Sequence, residues 1–157
     1  MKLVTHYVFS FGISLYLISL FRNINAGSGL AAMWLSVSIN YFIDLFGHVS
    51  RNGTPTRSWV THSLFTGPTC GGFVAISSIS ALASLSASQL GSSAIVLWTM
   101  IGVIIGESHL LLDSLTESGV YVARKRVALS HFSYDNPALN LGFVLAGVLL
   151  SLSSLHQ

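Results

Sequence analysis

Charge is what this sequence has least of. Of its 157 residues only twelve are Asp, Glu, Lys or Arg, or 8%. A soluble domain carries charge on about a quarter of its residues and needs it for solubility, so an ordinary soluble globule is excluded. Disorder is excluded too, because 52% of the chain is apolar and its mean hydropathy is +0.70. The net charge of +2 is small and scattered and gives no footprint for nucleic acid. A single cysteine, Cys70, rules out an intrachain disulfide and any multi-thiolate metal site. What remains is one integral membrane domain over residues 1–157.

A membrane span needs about 20 mostly apolar residues. Leu3 to Phe21 is one uncharged run, interrupted only by His6, and Gly27 to Ile43 is a second that stops at Asp44. From Ser58 to Gly106 no charged residue occurs. That length suits two helices, with the turn between them at Ser86–Gln89 and Gly91–Ser93. Ala138 to Leu155 supplies the last. The expected fold is therefore all-α, a polytopic bundle of about five transmembrane helices. Thr54-Pro55 and Asn136-Pro137 each place a capping side chain before a proline. With Gly67-Pro68 and Gly71-Gly72 behind it, Pro55–Thr66 reads as a half-helix, and Phe73 as the start of the true third span.

Five spans make the loops alternate sides. Lys2, Arg51, Arg57, Arg124, Lys125 and Arg126 fall on one side, and only Arg22 on the other. The positive-inside rule then puts the N-terminus in the cytoplasm and the C-terminus outside. The first run is long, holds His6 and has only Lys2 before it, so it reads as a retained span rather than a cleaved signal peptide.

On this topology Asp44, Glu107, Asp113, Glu117 and Asp135, with His6, His48, His62, His109 and His131, gather at the cytoplasmic end. Solvation at helix ends explains Glu117 and Asp135. It does not explain His109 and Asp113, which flank Leu110-Leu111-Leu112. An ionisable group in a span costs several kcal/mol and marks a functional site by default. Asp44 and His48, His109 and Asp113, and His131 and Asp135 are each four apart, a spacing that shares a helix face. Imidazole and carboxylate without thiolate suit Zn²⁺, with Mn²⁺ or Fe²⁺ as alternatives. Such an ion activates water and polarises a carbonyl or phosphoryl oxygen. Arg57 and the N-terminus of the Pro55 half-helix are candidates for holding a leaving anion. Asn52, Thr61, Ser63 and Thr116 are candidates for orienting the ligands.

Thr5-His6, then Arg57 to Thr61-His62-Ser63 with Asp44 upstream, then His109-x-x-x-Asp113-x-x-Thr116 with Gly119, form an ordered set. Over residues 1–119 the chain resembles the YdjM/YbcI-like prokaryotic membrane-bound metal-dependent hydrolases and their archaeal branch of unknown function. It departs from their pattern where Ile43-Asp44-Leu45-Phe46-Gly47-His48 has one Asp and a His in place of a Pro-Asp-x-Asp-like element. The resemblance implies metal-dependent hydrolysis. The expected ligands are His62, His109 and Asp113, with Asp44, His48 or His6 completing the set, and the expected general base is Asp44 or Glu107. A phosphate ester or lipid headgroup is the expected substrate, the bilayer the expected surroundings, and a homo-oligomer is compatible with the Ser- and Gly-rich third helix. Two rivals stand beside this: a membrane scaffold whose His and Asp form a structural network, and a proton or metal transporter. The transporter is disfavoured because the outer halves of the spans hold little beyond Ser, Thr and Gly.

Overall fold

The structure, a computed structural model, describes residues 1–21, 24–51, 54–85 and 91–156, with the backbone alone for 48–51 and 54–56. Five helices form: α1 (Leu3–Phe21), α2 (Ala26–Gly47), α3 (Thr66–Leu85), α4 (Ser92–Ser114) and α5 (Pro137–Ser154). Each is long and apolar enough to cross a bilayer. Large apolar side chains cover their outer surfaces, among them Leu30, Phe73, Val96 and Leu149, each more than half exposed. In water that would be untenable; against acyl chains it is the expected finish of a membrane bundle. Arg22 and the Ser86–Gln89 part of the expected turn lie outside the described residues.

Two antiparallel ribbons join the helices at one end. β1 (His48–Arg51) pairs with β2 (Thr54–Arg57) between α2 and α3, and β3 (Val120–Val122) with β4 (Lys125–Val127) between α4 and α5. The Pro55 half-helix is thus corrected: Pro55 lies in β2, opposite Ser50. The edge of a two-stranded ribbon tolerates a residue without an N–H. The third span also begins earlier than expected, at Thr66 rather than Phe73. Pro68 sits in its first turn, where the helix has no partner for an N–H in any case. Ser63 caps that turn, its Oγ accepting from Thr66 N at 3.3 Å and its carbonyl from Gly67 N at 3.1 Å. At α5 the expected cap is present, with Asn136 Oδ1 accepting from Leu139 N at 3.0 Å.

The core runs down the centre through Leu35, Ile39, Ile43, Ile101 and Ile105. Helices α3 and α4 touch backbone to backbone. A Cβ on Gly71 would overlap the carbonyl oxygen of Gly102, and one on Gly106 that of Gly67. This small-residue seam holds α4 against the start of α3, and so brings the residues near the C-terminus of α4 beside those that lead into α3.

Candidate metal centre

The starts of α1, α3 and α5 and the ends of α2 and α4 share the ribbon end, and the ionisable groups meet there. Asp44 comes from the last turn of α2, His62 from the turn before α3, and His109 and Asp113 from successive turns of α4. One ligand atom from each lies within 4.8 Å of all the others. Four separations are tighter. His62 Nε2 is 3.5 Å from both Asp44 Oδ1 and Asp113 Oδ2, and His109 Nε2 is 3.5 and 3.4 Å from the same two atoms. Ligands about 2.0–2.1 Å from a tetrahedral ion stand roughly 3.3–3.4 Å from one another, so these spacings match such an ion.

The protons decide what these atoms are. Asn40 is fully buried mid-helix, and its Nδ2 donates to the Ser36 carbonyl at 2.7 Å and to Ser10 Oγ at 2.9 Å. A carbonyl only accepts, so the amide orientation is fixed and Asn40 Oδ1 faces His109 Nδ1 at 2.9 Å. That nitrogen must carry the hydrogen, which leaves Nε2 of a neutral His109 with a bare lone pair. At His62 the same result is reached independently. The one hydroxyl proton of Thr61 goes to the Ile43 carbonyl at 2.9 Å, so Thr61 Oγ1 accepts from His62 Nδ1 at 3.2 Å. In neutral rings both Nε2 lone pairs therefore point at two carboxylates. Acceptors facing acceptors in a buried space repel unless a proton or a metal ion stands between them.

Asp113 is divided in the same sense. Its Oδ1 is crowded with donors: Arg57 Nη2 at 2.7 Å, the amino nitrogen of Met1 at 2.6 Å and His6 Nε2 at 3.2 Å. Its Oδ2, like His109 Nε2, is buried with no hydrogen-bond partner. The residues present thus fit a divalent ion: four donors, no thiolate, and unsatisfied atoms turned to a common point. His62, His109 and Asp113 side chains are at most 1% exposed, while Asp44 is 24% exposed, so the cluster opens at Asp44.

The other expected site residues fall elsewhere. His6 touches the far oxygen of Asp113 and stacks on His109 with ring centroids 4.1 Å apart, so it braces two members of the cluster rather than joining it. Arg57 is spent within the protein. Besides Asp113, its Nη1 donates to Thr116 Oγ1 at 3.2 Å and Gly119 O at 3.1 Å, which corrects its expected role as an anion holder. Glu107 is exposed, two residues from His109 and so on the opposite face of α4, away from the centre. His131 and Asp135 are exposed in a loop that is not helical, so their spacing has no meaning there. His48 begins β1 beyond the end of α2; its side chain, like Asn52, lies outside the described residues. Of the expected orienting residues, Thr61 holds His62 and Thr116 holds Arg57, while Ser63 caps α3.

Asn40 carries no charge and so is not among the ionisable groups that mark this end of the bundle in the sequence. The signal was available: an amide in an apolar span is costly unless partnered. Ser10 and Ser36, which complete its surroundings at 2.6 Å from each other, are masked in the sequence by abundant serine.

Residues 1–112 match the family described as "Protein of unknown function (DUF1286)". The chain belongs to that family. Among curated proteins and among solved structures nothing matches it. In this DUF1286 chain the matched region carries Asp44, His62 and His109, and Asp113 follows directly.

Proposed function

We propose that the protein is a membrane-embedded metal-dependent hydrolase. Its centre, built from Asp44, His62, His109 and Asp113, holds Zn²⁺ in preference to Mn²⁺ or Fe²⁺ and acts on a phosphate ester or lipid headgroup at the cytoplasmic face. The observation that carries this reading is the pair of imidazole lone pairs, each fixed from behind by Asn40 or Thr61, aimed at two carboxylates 3.4–3.5 Å away. When bound, the ion supplies Lewis acidity and lowers the pKa of a coordinated water. Asp44, the one member reachable from outside, is placed to take a proton at the opening. Arg57 and His6 hold Asp113 so that one oxygen stays turned to the ion. The grouping of six cations on one side supports a cytoplasmic site end, and the resemblance to the YdjM/YbcI-like hydrolases supports the same chemistry.

The test is elemental analysis of the purified chain beside a His109→Ala/Asp113→Ala variant, followed by phosphate release from phosphatidic acid in mixed micelles. One divalent ion per wild-type chain, none in the variant, and release abolished by chelation are expected. Near-zero metal in both would instead favour a scaffold with a structural His/Asp network.

A further inference from the structure

The opening at Asp44 does not stand alone on its helix. Leu30, Trp34, Val37, Tyr41 and Asp44 recur at intervals of four, three, four and three, so they form one stripe along α2. The first four are 62%, 58%, 42% and 53% exposed. Far from the centre, this stripe becomes the wall of a groove between α2 and α3, with a volume of about 1030 Å³. Leu30, Trp34 and Val37 line one side and Ser78, Leu82 and Leu85 the other, and Trp34 Nε1 donates across it to Ser78 Oγ at 3.3 Å. The volume is at the upper end of the roughly 300–1,000 Å³ of small-molecule sites, and the lining is almost entirely apolar.

We propose that this groove holds the tail of a long-chain anionic lipid whose headgroup lies at the Asp44 opening. The proposal rests on the metal-centre reading and adds to it the class of ligand and its route of entry. Three observations support it. The groove lies within the membrane-spanning lengths of α2 and α3, where the surroundings are acyl chain. The α2 stripe that forms its wall runs on through Tyr41 to Asp44, the member of the cluster with appreciable exposure. The length also fits. Leu30 and Asp44 are fourteen residues apart, about 21 Å of helix at 1.5 Å per residue. An extended chain gains roughly 1.2–1.3 Å per bond, as the backbone's own 3.8 Å over three bonds shows, so about 17 bonds, an 18-carbon chain, span the stripe.

The experiment uses the full chain in phosphatidylcholine nanodiscs doped with phosphatidic acid that carries a photoactivatable diazirine near the end of an 18-carbon tail. Labelled peptides are mapped by mass spectrometry, with metal content measured on the same samples. Labelling of the 30–37 and 78–85 segments is expected to exceed that of the equally lipid-facing Leu141, Leu145 and Leu149 of α5 at least fivefold. Excess unlabelled phosphatidic acid should suppress it. Ala81→Trp, which fills the groove from a residue remote from the centre, should reduce it at least fivefold with bound metal unchanged. Equal labelling of α5, labelling indifferent to Ala81→Trp, or chain-to-chain products showing a second copy in the groove would each overturn the proposal. A chain that binds no metal but labels selectively would leave the groove standing and remove the hydrolase reading. A chain with full metal and uniform labelling would do the reverse.

Discussion

Asp44→Asn separates the metal centre from the fold more cleanly than any other substitution in the cluster. Asp44 is 24% exposed, whereas the other three members are at most 1% exposed, and neutralising Asp113 would also strand Arg57. Breaking a buried pair of that kind costs about 3–5 kcal/mol; a partly exposed carboxylate costs far less, about 1 kcal/mol or below. The metal-free variant should therefore melt within a few degrees of the metal-free wild type. The response to added zinc is where the two must part. At a free ion concentration one hundred times Kd, binding stabilises the wild type by about 2.7 kcal/mol. For a chain of this size that is a rise in Tm of about 5–11 °C, at roughly 2–4 °C per kcal/mol. Loss of an outer partner of a metal ligand costs about 10–100-fold in affinity, so loss of a ligand itself should reach at least the upper figure. At the same zinc concentration the variant then gains only about 0.4 kcal/mol, or one to two degrees. Thermal unfolding in detergent, with chelator and with zinc, reads both numbers. Glu107→Gln, exposed on the far face of α4, serves as the control and should respond as the wild type does. A full zinc shift in Asp44→Asn, or none in the wild type, refutes the assignment of the centre.

Other consequences concern the supports. Asn40→Leu removes the acceptor behind His109 and should weaken zinc binding about 10–100-fold, while Asn40→Asp keeps an oxygen there and should lose less; competition with a chromogenic chelator ranks the three, and equal affinities would deny Asn40 its role. Gly71→Leu drives a side chain into the Gly102 carbonyl and should cost about 1–3 kcal/mol or prevent assembly, read as lowered Tm or loss of the monodisperse peak in size exclusion.

The helices were legible because an apolar run of 18 or more residues has few alternatives in a membrane protein. Connections were less so. Thr54-Pro55 carries the chemistry of a helix start, and only the pairing of 48–51 with 54–57 shows it as a strand; Asn52-Gly53, which stands between them in the sequence, is the stronger hairpin signal. Gly67-Pro68 looked like a break because the same dipeptide inside a helix is one, and its place in the first turn depends on Ser63 capping from three residues upstream. At the centre, the sequence identified the end of the bundle and most of the cluster. It could not say which nitrogen of His109 faces inward, since that is decided by an amide 69 residues away. Nor could spacing separate His109 and Asp113, which lie on a helix, from His131 and Asp135, which do not.

Charge at the centre ties the metal reading to the lipid. The carboxylates of Asp44 and Asp113 are matched by the guanidinium of Arg57 and the terminal ammonium of Met1, both of which touch Asp113. In that state an anionic headgroup meets only the Asp44 carboxylate at the opening and no net attraction. A divalent ion adds two positive charges beside that opening. Two unit charges about 4 Å apart near a protein surface interact by about 4 kcal/mol at an effective dielectric constant of 20, so the attraction that the ion adds is large on the scale of binding. Phosphatidic acid should therefore be retained through native mass spectrometry by the zinc-loaded protein and lost on chelation. Phosphatidylcholine, with no net charge, should be indifferent to zinc. If both lipids are retained equally with and without the ion, the headgroup does not sit at Asp44, and the groove and the centre have no common ligand.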